Sequence, residues 1–165
     1  MMPDVLNNLT ERYLMKPLPI SVSRRAFVMS AAASLMSGAA IAQSISVPTK
    51  GGELSPPEAH TLANSGRITL IDIRRPDEWA STGSGQGAYR LDMRRKDFIP
   101  ELTKIVSGDT SAPVALICAR GVRSNRMSRA LKQAGFTNII DVPEGMLGSR
   151  VGPGWIKRKL PLNRS

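Results

Sequence analysis

Three short apolar runs, separated by stretches of helical spacing, constrain this chain more than any other feature. The runs are "ITLIDI" (Ile68 to Ile73), "APVALIC" (Ala112 to Cys118) and "FTNIIDV" (Phe136 to Val142). Each is aliphatic and rich in β-branched residues, and each is bounded by polar or glycine-containing turns. That is the pattern of a strand buried on both faces. Before the first run, "SPPEAHTLANSG" has Ser55 as an N-cap, Pro56 at the first helical position and Glu58 three residues after the cap. This is a capping-box signature, and Gly66 is placed to end the helix. "DFIPELTKIV" spaces Phe98, Leu102 and Ile105 for one face of a helix, with Pro100 tolerated only in its first turn. "RSNRMSRALKQAG" sets Met127, Ala130 and Leu131 against Arg126, Arg129, Lys132 and Gln133, with Gly135 as its stop. Strands alternating with helices imply parallel pairing through right-handed crossovers. The expected fold is a single α/β domain, a small parallel sheet flanked by helices on both faces.

That domain is expected over residues 55–162, after a polar lead-in at 43–54. "RPDEWA" reads as a turn and one helical turn. "STGSGQGAYRL" reads as a glycine-rich loop ending in a short extended segment. The closing stretch is rich in Gly and Pro and has one large anchor, Trp155. Residues 1–42 read differently. An arginine pair, Arg24 and Arg25, precedes a weakly apolar run rich in Ala, Ser and Met, which ends in the small-x-small site Ala40-Ile41-Ala42. Charge, apolar run and small residues form the layout of a removable secretory signal. Ser23, Arg24, Arg25, Phe27 and Val28 resemble the bacterial twin-arginine export signal. The small residues of the run make it a poor permanent anchor, so a periplasmic location with no stable membrane attachment is expected. Met15 would serve as an alternative start, giving a signal of more ordinary length.

The chain carries a net charge of +10. Cleavage after Ala42 would leave 19 Lys and Arg against 11 Asp and Glu, a net charge of +8. Such an excess draws anionic substrates inward. Aromatics are few and no nucleic-acid motif is present, so nucleic acid is not the expected partner. A single cysteine forms no internal disulfide, and one histidine without a Cys/His cluster argues against zinc.

The single cysteine carries the chemistry. Cys118 ends the second apolar run and is followed by Ala119, Arg120, Gly121, Val122, Arg123 and Ser124 before the next helical stretch. The C-terminal edge of an open parallel sheet is where ligands bind. A short curled loop there turns successive N–H groups inward, and the following helix adds its positive end. Gly121 supplies the backbone freedom for the curl. Such surroundings favour the thiolate, the reactive form of cysteine. Arg123 has a two-pronged donor face suited to an oxyanion, and Arg120 adds charge at the rim. The competing reading is a buried structural cysteine, since unpaired cysteines are among the most buried residues.

Three stretches in order resemble the rhodanese family of sulfurtransferases. "CARGVRS" (Cys118 to Ser124) is similar to its active-site loop. "LIDIRRPDEW" (Leu70 to Trp79) is similar to its first signature, and Trp155 with Leu160-Pro161 to its closing segment. The resemblance spans about Gly51 to Pro161. It implies a cofactor-free domain in which Cys118 takes a sulfane sulfur from a donor such as thiosulfate, holds it as a persulfide and passes it to a thiophilic acceptor. The loop from Ala119 through Ser124 would bind the small anionic donor. Asp72 and Arg74 would brace the strand end. The family's Gly-His and Pro-Gly-Ala pattern is replaced here by "TGSGQGAYRLDMRR", which leaves the acceptor side open. A non-catalytic sulfur carrier or binding module of a periplasmic redox system is a second reading. A phosphatase or arsenate reductase on the same fold is a third. Its rhodanese-like relatives use five residues between Cys and Arg, where this chain has four.

Overall fold

In the computed structural model, residues 45–48 and 51–164 are described. The export signal, its cleavage site and Met15 lie outside the described residues. Among the described residues, no helix is long and apolar enough to cross a membrane.

The three apolar runs become the centre of a sheet. Strand β2 (Thr69–Asp72) pairs in parallel with β5 (Val114–Ile117), and β5 with β6 (Ile139–Asp141). Their inward residues are almost wholly buried, as a sheet covered on both faces requires. Two short strands extend this centre. One, β1 (Gly52–Glu53), lies in the polar lead-in and pairs with β6. The other, β4 (Ala88–Arg90), is the extended end of the glycine-rich loop and pairs with β2. The sheet is therefore five-stranded and parallel throughout, in the order β1-β6-β5-β2-β4. A separate antiparallel pair, β3 (Ser84–Gly85) with β7 (Leu162–Asn163), ties the closing segment to the glycine-rich loop.

Among the described residues, five helices accompany the sheet: α1 (Pro56–Asn64), α2 (Pro76–Thr82), α3 (Phe98–Ile105), α4 (Val122–Gln133) and α5 (Gly154–Lys157). Two apolar clusters form. One gathers Leu116, Cys118 and Ile139 with Phe98 and Leu102 of α3 and Leu131 of α4. The other gathers Ala115, Ile117 and Ile140 with Ala59 and Leu62 of α1 and Trp155 of α5. Alternate residues of β5 thus go to opposite faces, and helices cover both. Trp155 is fully buried. It donates its indole N–H to the Pro161 carbonyl at 3.0 Å and meets the edge of His60.

The cap of α1 forms from its acidic half. Glu58 Oε2 accepts from the Ser55 N–H at 2.8 Å and from its hydroxyl at 2.7 Å. The stretch expected to give one turn gives a longer helix, α2, because Pro76 starts it and Glu78 reaches back to the Arg75 N–H at 3.1 Å. The buried face of α4 also differs from its apolar reading. Ser124, Ser128 and Leu131 are buried, while Ala130 is exposed. Both serines satisfy their hydroxyls on the helix's own backbone, Ser124 on Gly121 O at 3.0 Å and Ser128 on Ser124 O at 2.9 Å. Small side chains satisfied locally let a helix lie close to a sheet without an orphaned polar group.

Candidate active site

Cys118 stands one residue beyond β5, at the C-terminal edge of the sheet, with 1% of its surface exposed. After it the backbone curls through Ala119 and Arg120 into α4. Gly121 caps that helix in the left-handed conformation, φ +81°. A Cβ there would overlap the Pro143 carbonyl, so both conformation and space call for glycine. From Ala119 to Ser124, six consecutive N–H groups have no acceptor among the described residues. The next N–H, of Asn125, goes to Gly121 O at 3.1 Å. A run of unpaired N–H groups leading into a helix N-terminus is an anion-binding arrangement.

The loop is clamped from outside. The N–H groups of Met146 and Leu147 donate to the Cys118 and Ala119 carbonyls at 2.8 and 2.9 Å. This approach requires Gly145, whose Cβ would meet the Ala119 carbonyl at 2.5 Å. Two loop carbonyls are thereby engaged while the N–H groups stay free.

Arg123 does not hold its fork open. Its Nη1 and Nη2 donate to Glu78 Oε2 and Oε1, both at 2.7 Å. Glu78 comes from α2, so the pair ties the start of α4 to the helix that follows β2. The Arg123 hydrogen bonds hold the Glu78 carboxyl down at about 2. The Arg123 proton is held more firmly in turn, first by Glu78 and further by the nearby Cys118 sulfur. In the sequence, Glu78 stands within "RPDEW" with no local sign of this role. An acid at the third position of α2 was a signal for its capping half only.

The remaining loop side chains divide. Arg120 and Val122 point outward, Val122 with 78% of its surface exposed. The hydroxyl of buried Ser124 is taken by Gly121 O, which leaves its N–H for the loop. Asp72 and Arg74 form a buried pair behind the site. Arg74 Nε and Nη2 bind the Asp72 carboxylate at 2.7–3.0 Å, and the other donors reach Thr82 Oγ1 at 2.9 Å and Gly83 O at 2.6 Å. This pair fixes the end of β2 to the end of α2, and hence the height of Glu78. Two bases of the divergent loop have local partners: Arg94 pairs with Asp92 and Arg95 with Asp97.

The model of the rhodanese-like domain matches residues 55–148. The chain belongs to the rhodanese-like family. Among solved structures, this rhodanese-like chain is similar to a polysulfide-sulfur transferase homodimer from Wolinella succinogenes. The two share 30% identity with a TM-score of 0.53, over 69% of this chain and 79% of that one. The M. tuberculosis protein Rv0390 shares the fold, at 24% identity and a TM-score of 0.53, over 69% of this chain and 98% of that one. Curated relatives include the tRNA uridine(34) hydroxylases of Chlamydia caviae and Chlamydia abortus, at 27% and 26% identity over 70% of this chain. This rhodanese-like chain spans little more than a third of their length, 36% and 37%.

Proposed function

We propose that this rhodanese-like chain is an exported sulfurtransferase with Cys118 as its nucleophile. The observation that carries the reading is the run of six free N–H groups from Ala119 to Ser124, next to the only cysteine. The likeness to a polysulfide-sulfur transferase adds support for sulfane-sulfur chemistry. In the loading step, the Cys118 thiolate attacks the outer sulfur of a donor such as thiosulfate. A new S–S bond forms, the donor's S–S bond breaks, and its electron pair leaves with sulfite. The loop N–H groups stabilise the negative charge on the persulfide and on the departing anion. In the second step a thiophilic acceptor takes the outer sulfur, and the electron pair of the broken S–S bond returns to Cys118. Arg123, engaged with Glu78, holds the ring in shape, and Arg120 attracts the donor at the rim.

Export rests on the arginine pair and the apolar run that follows it, and it gives the periplasm as the place of action. A carrier that loads readily and discharges only to a periplasmic partner protein is the second reading. The burial of Cys118, at 1% exposure, favours it over a freely open site.

The test is intact mass after thiosulfate treatment, followed by discharge to cyanide. The expected result is one added sulfur atom, absent in Cys118→Ser, and rapid loss of that sulfur to cyanide. Loading without discharge selects the carrier. Failure to load with any sulfane donor, together with hydrolysis of an aryl phosphate, overturns the transferase reading.

A further inference from the structure

The outer face of α4 carries a charge pattern that the sulfur chemistry does not use. The helix holds Arg123, Arg126, Arg129 and Lys132 and no acidic residue. Arg126, Arg129 and Lys132 recur at three-residue spacing, so they share one side of the helix, and all three are exposed. Arg74, Arg75, Arg94, Arg95, Arg123 and Arg158 each bind a carboxylate. Among the described residues, Arg126, Arg129, Lys132, Arg120 and Arg150 have neither an ion pair nor a hydrogen bond. Beside the stripe lies a cleft of about 780 Å³, lined from α4 by Val122, Asn125 and Arg129 and from the loops by Arg120, Arg150 and Val151. Val122 and Val151 are the two most exposed large apolar side chains among the described residues, at 78% and 66%. Unpaired bases around bare aliphatic groups are the makings of a docking surface for an anionic partner with an apolar anchor.

Part of this surface is held ready. Arg150 and Val151 stand on a tight turn in which the Ser149 N–H donates to Gly152 O at 2.9 Å and the Val151 N–H to Ser149 Oγ at 3.1 Å. Glu144 anchors the base of the turn, accepting from the Gly154 N–H at 2.9 Å and from Arg158 at 2.7 and 2.9 Å. A fixed display lowers the ordering cost of binding. The acids of the cleft decide which anionic partner fits. Glu53 and Asp141 line it as well. Asp141 is 6% exposed, and its Oδ1 is buried with no hydrogen-bond partner. A buried acceptor left open calls for a donor. Lipid phosphates offer acceptors only and would meet two carboxylates here. A polypeptide brings an N–H at nearly every residue, and it can set an apolar side chain on the valines. A second copy of this chain is disfavoured, because a two-fold contact sets the basic face against itself.

We propose that the outer face of α4 and its cleft dock an acidic segment of a partner protein, with carboxylates on Arg126, Arg129, Lys132 and Arg150 and one aliphatic side chain against Val122 and Val151. The docking is a binding function of its own. It uses no atom of Cys118 and asks no sulfur chemistry of the partner, so it stands or falls apart from the transferase reading.

The test is calorimetry on the Cys118→Ser protein, which removes any sulfur transfer, at about 0.15 M salt. The probe is the synthetic peptide acetyl-Asp-Glu-Asp-Leu-Asp-Glu-Asp-amide. Two protein variants lose the same charge. One changes the face, Arg126→Gln with Arg129→Gln and Lys132→Gln; the other changes exposed lysines outside it, Lys96→Gln with Lys157→Gln and Lys159→Gln. The residues changed are exposed and without partners, so the melting curves should match that of the parent. The expected result is measurable affinity, weakened about tenfold or more by the face variant and far less by the control. Replacing the peptide's Leu with Ser, or Val151→Ser in the protein, should weaken it several-fold as well. Equal losses in the two charge variants reduce the effect to net charge and overturn the inference. So does indifference to both the peptide's Leu and Val151. Phosphatidylglycerol vesicles and sedimentation complete the test. Vesicle binding or self-association that is lost in the face variant, with no affinity for the peptide, overturns the inference in favour of a lipid surface or a second copy. If the peptide binds as described and the unmodified protein never forms a persulfide, the docking site stands and the transferase reading falls.

Discussion

Replacing Glu78 with Gln removes one half of the ion pair that joins α2 to the start of α4, and it keeps the side chain's size. The Glu78 carboxyl sits at about 2, against an ordinary 4.5, chiefly through its hydrogen bonds from Arg123. At about 1.4 kcal/mol for each tenfold change in proton affinity, the gap sets a ceiling of about 3 kcal/mol. The side chains are 19% and 32% exposed, so solvent screens part of this, and about 1–2 kcal/mol is expected at neutral pH. The sign in pH follows from the direction. A carboxylate held below its unfolded value stabilises the fold fully above about 4.5, and its contribution fades as pH falls towards 2. Urea melts of Glu78→Gln and the unmodified protein, from pH 6 down to 2.5, should show a difference of about 1–2 kcal/mol that shrinks through that window. A difference that stays constant down to pH 3, or is absent at pH 6, refutes the account of the pair.

Asp72→Ala leaves buried Arg74 without its carboxylate and should cost about 3–5 kcal/mol in chemical denaturation, far more than loss of an exposed pair. Trp155→Ala empties the core under α1 and should cost about 3–5 kcal/mol, read as a lowered urea midpoint. One glycine inserted after Gly121 displaces the loop N–H groups. A misplacement of about 1 Å is expected to lose on the order of 100-fold in persulfide formation, with the melting curve less affected. Arg24→Lys with Arg25→Lys should hold the protein in the cytoplasm, as fractionation and immunoblotting would show; unaltered periplasmic accumulation counts against the twin-arginine reading.

The central strands were legible because burial on both faces writes itself as uninterrupted aliphatic runs. The cysteine loop was legible because its length, its glycine and the helix after it leave the backbone few courses. What escaped was set by pairing rather than by composition. Gly52 and Glu53 look like part of a polar lead-in, and only β6 beside them makes them a strand. Glu78 and Arg123 are 45 residues apart, and no local pattern announces that one acid of "PDEW" meets the other helix while its neighbour Asp77 bonds Arg75 at the surface. Ala130 and Ser128 exchanged places between surface and interior because a serine that bonds its own helix behaves as a small apolar residue.

The edges of the sheet have a consequence for colloidal behaviour. A parallel sheet with long bare margins is a template on which further chains can add. Here the outermost strands are only two and three residues long, β1 and β4. β1 is preceded by Gly51 in the left-handed region, φ +87°, and β4 ends at Arg90, whose guanidinium reaches Ser84 Oγ and the Asn163 carbonyl. So short an exposed ladder, ended by bent backbone on one side and by a charged side chain on the other, gives an incoming strand little to register against. The protein should therefore tolerate high concentration while folded, and the aliphatic segments that could drive cross-β assembly, "LIDI" and "VALI", become a hazard only when the central strands separate.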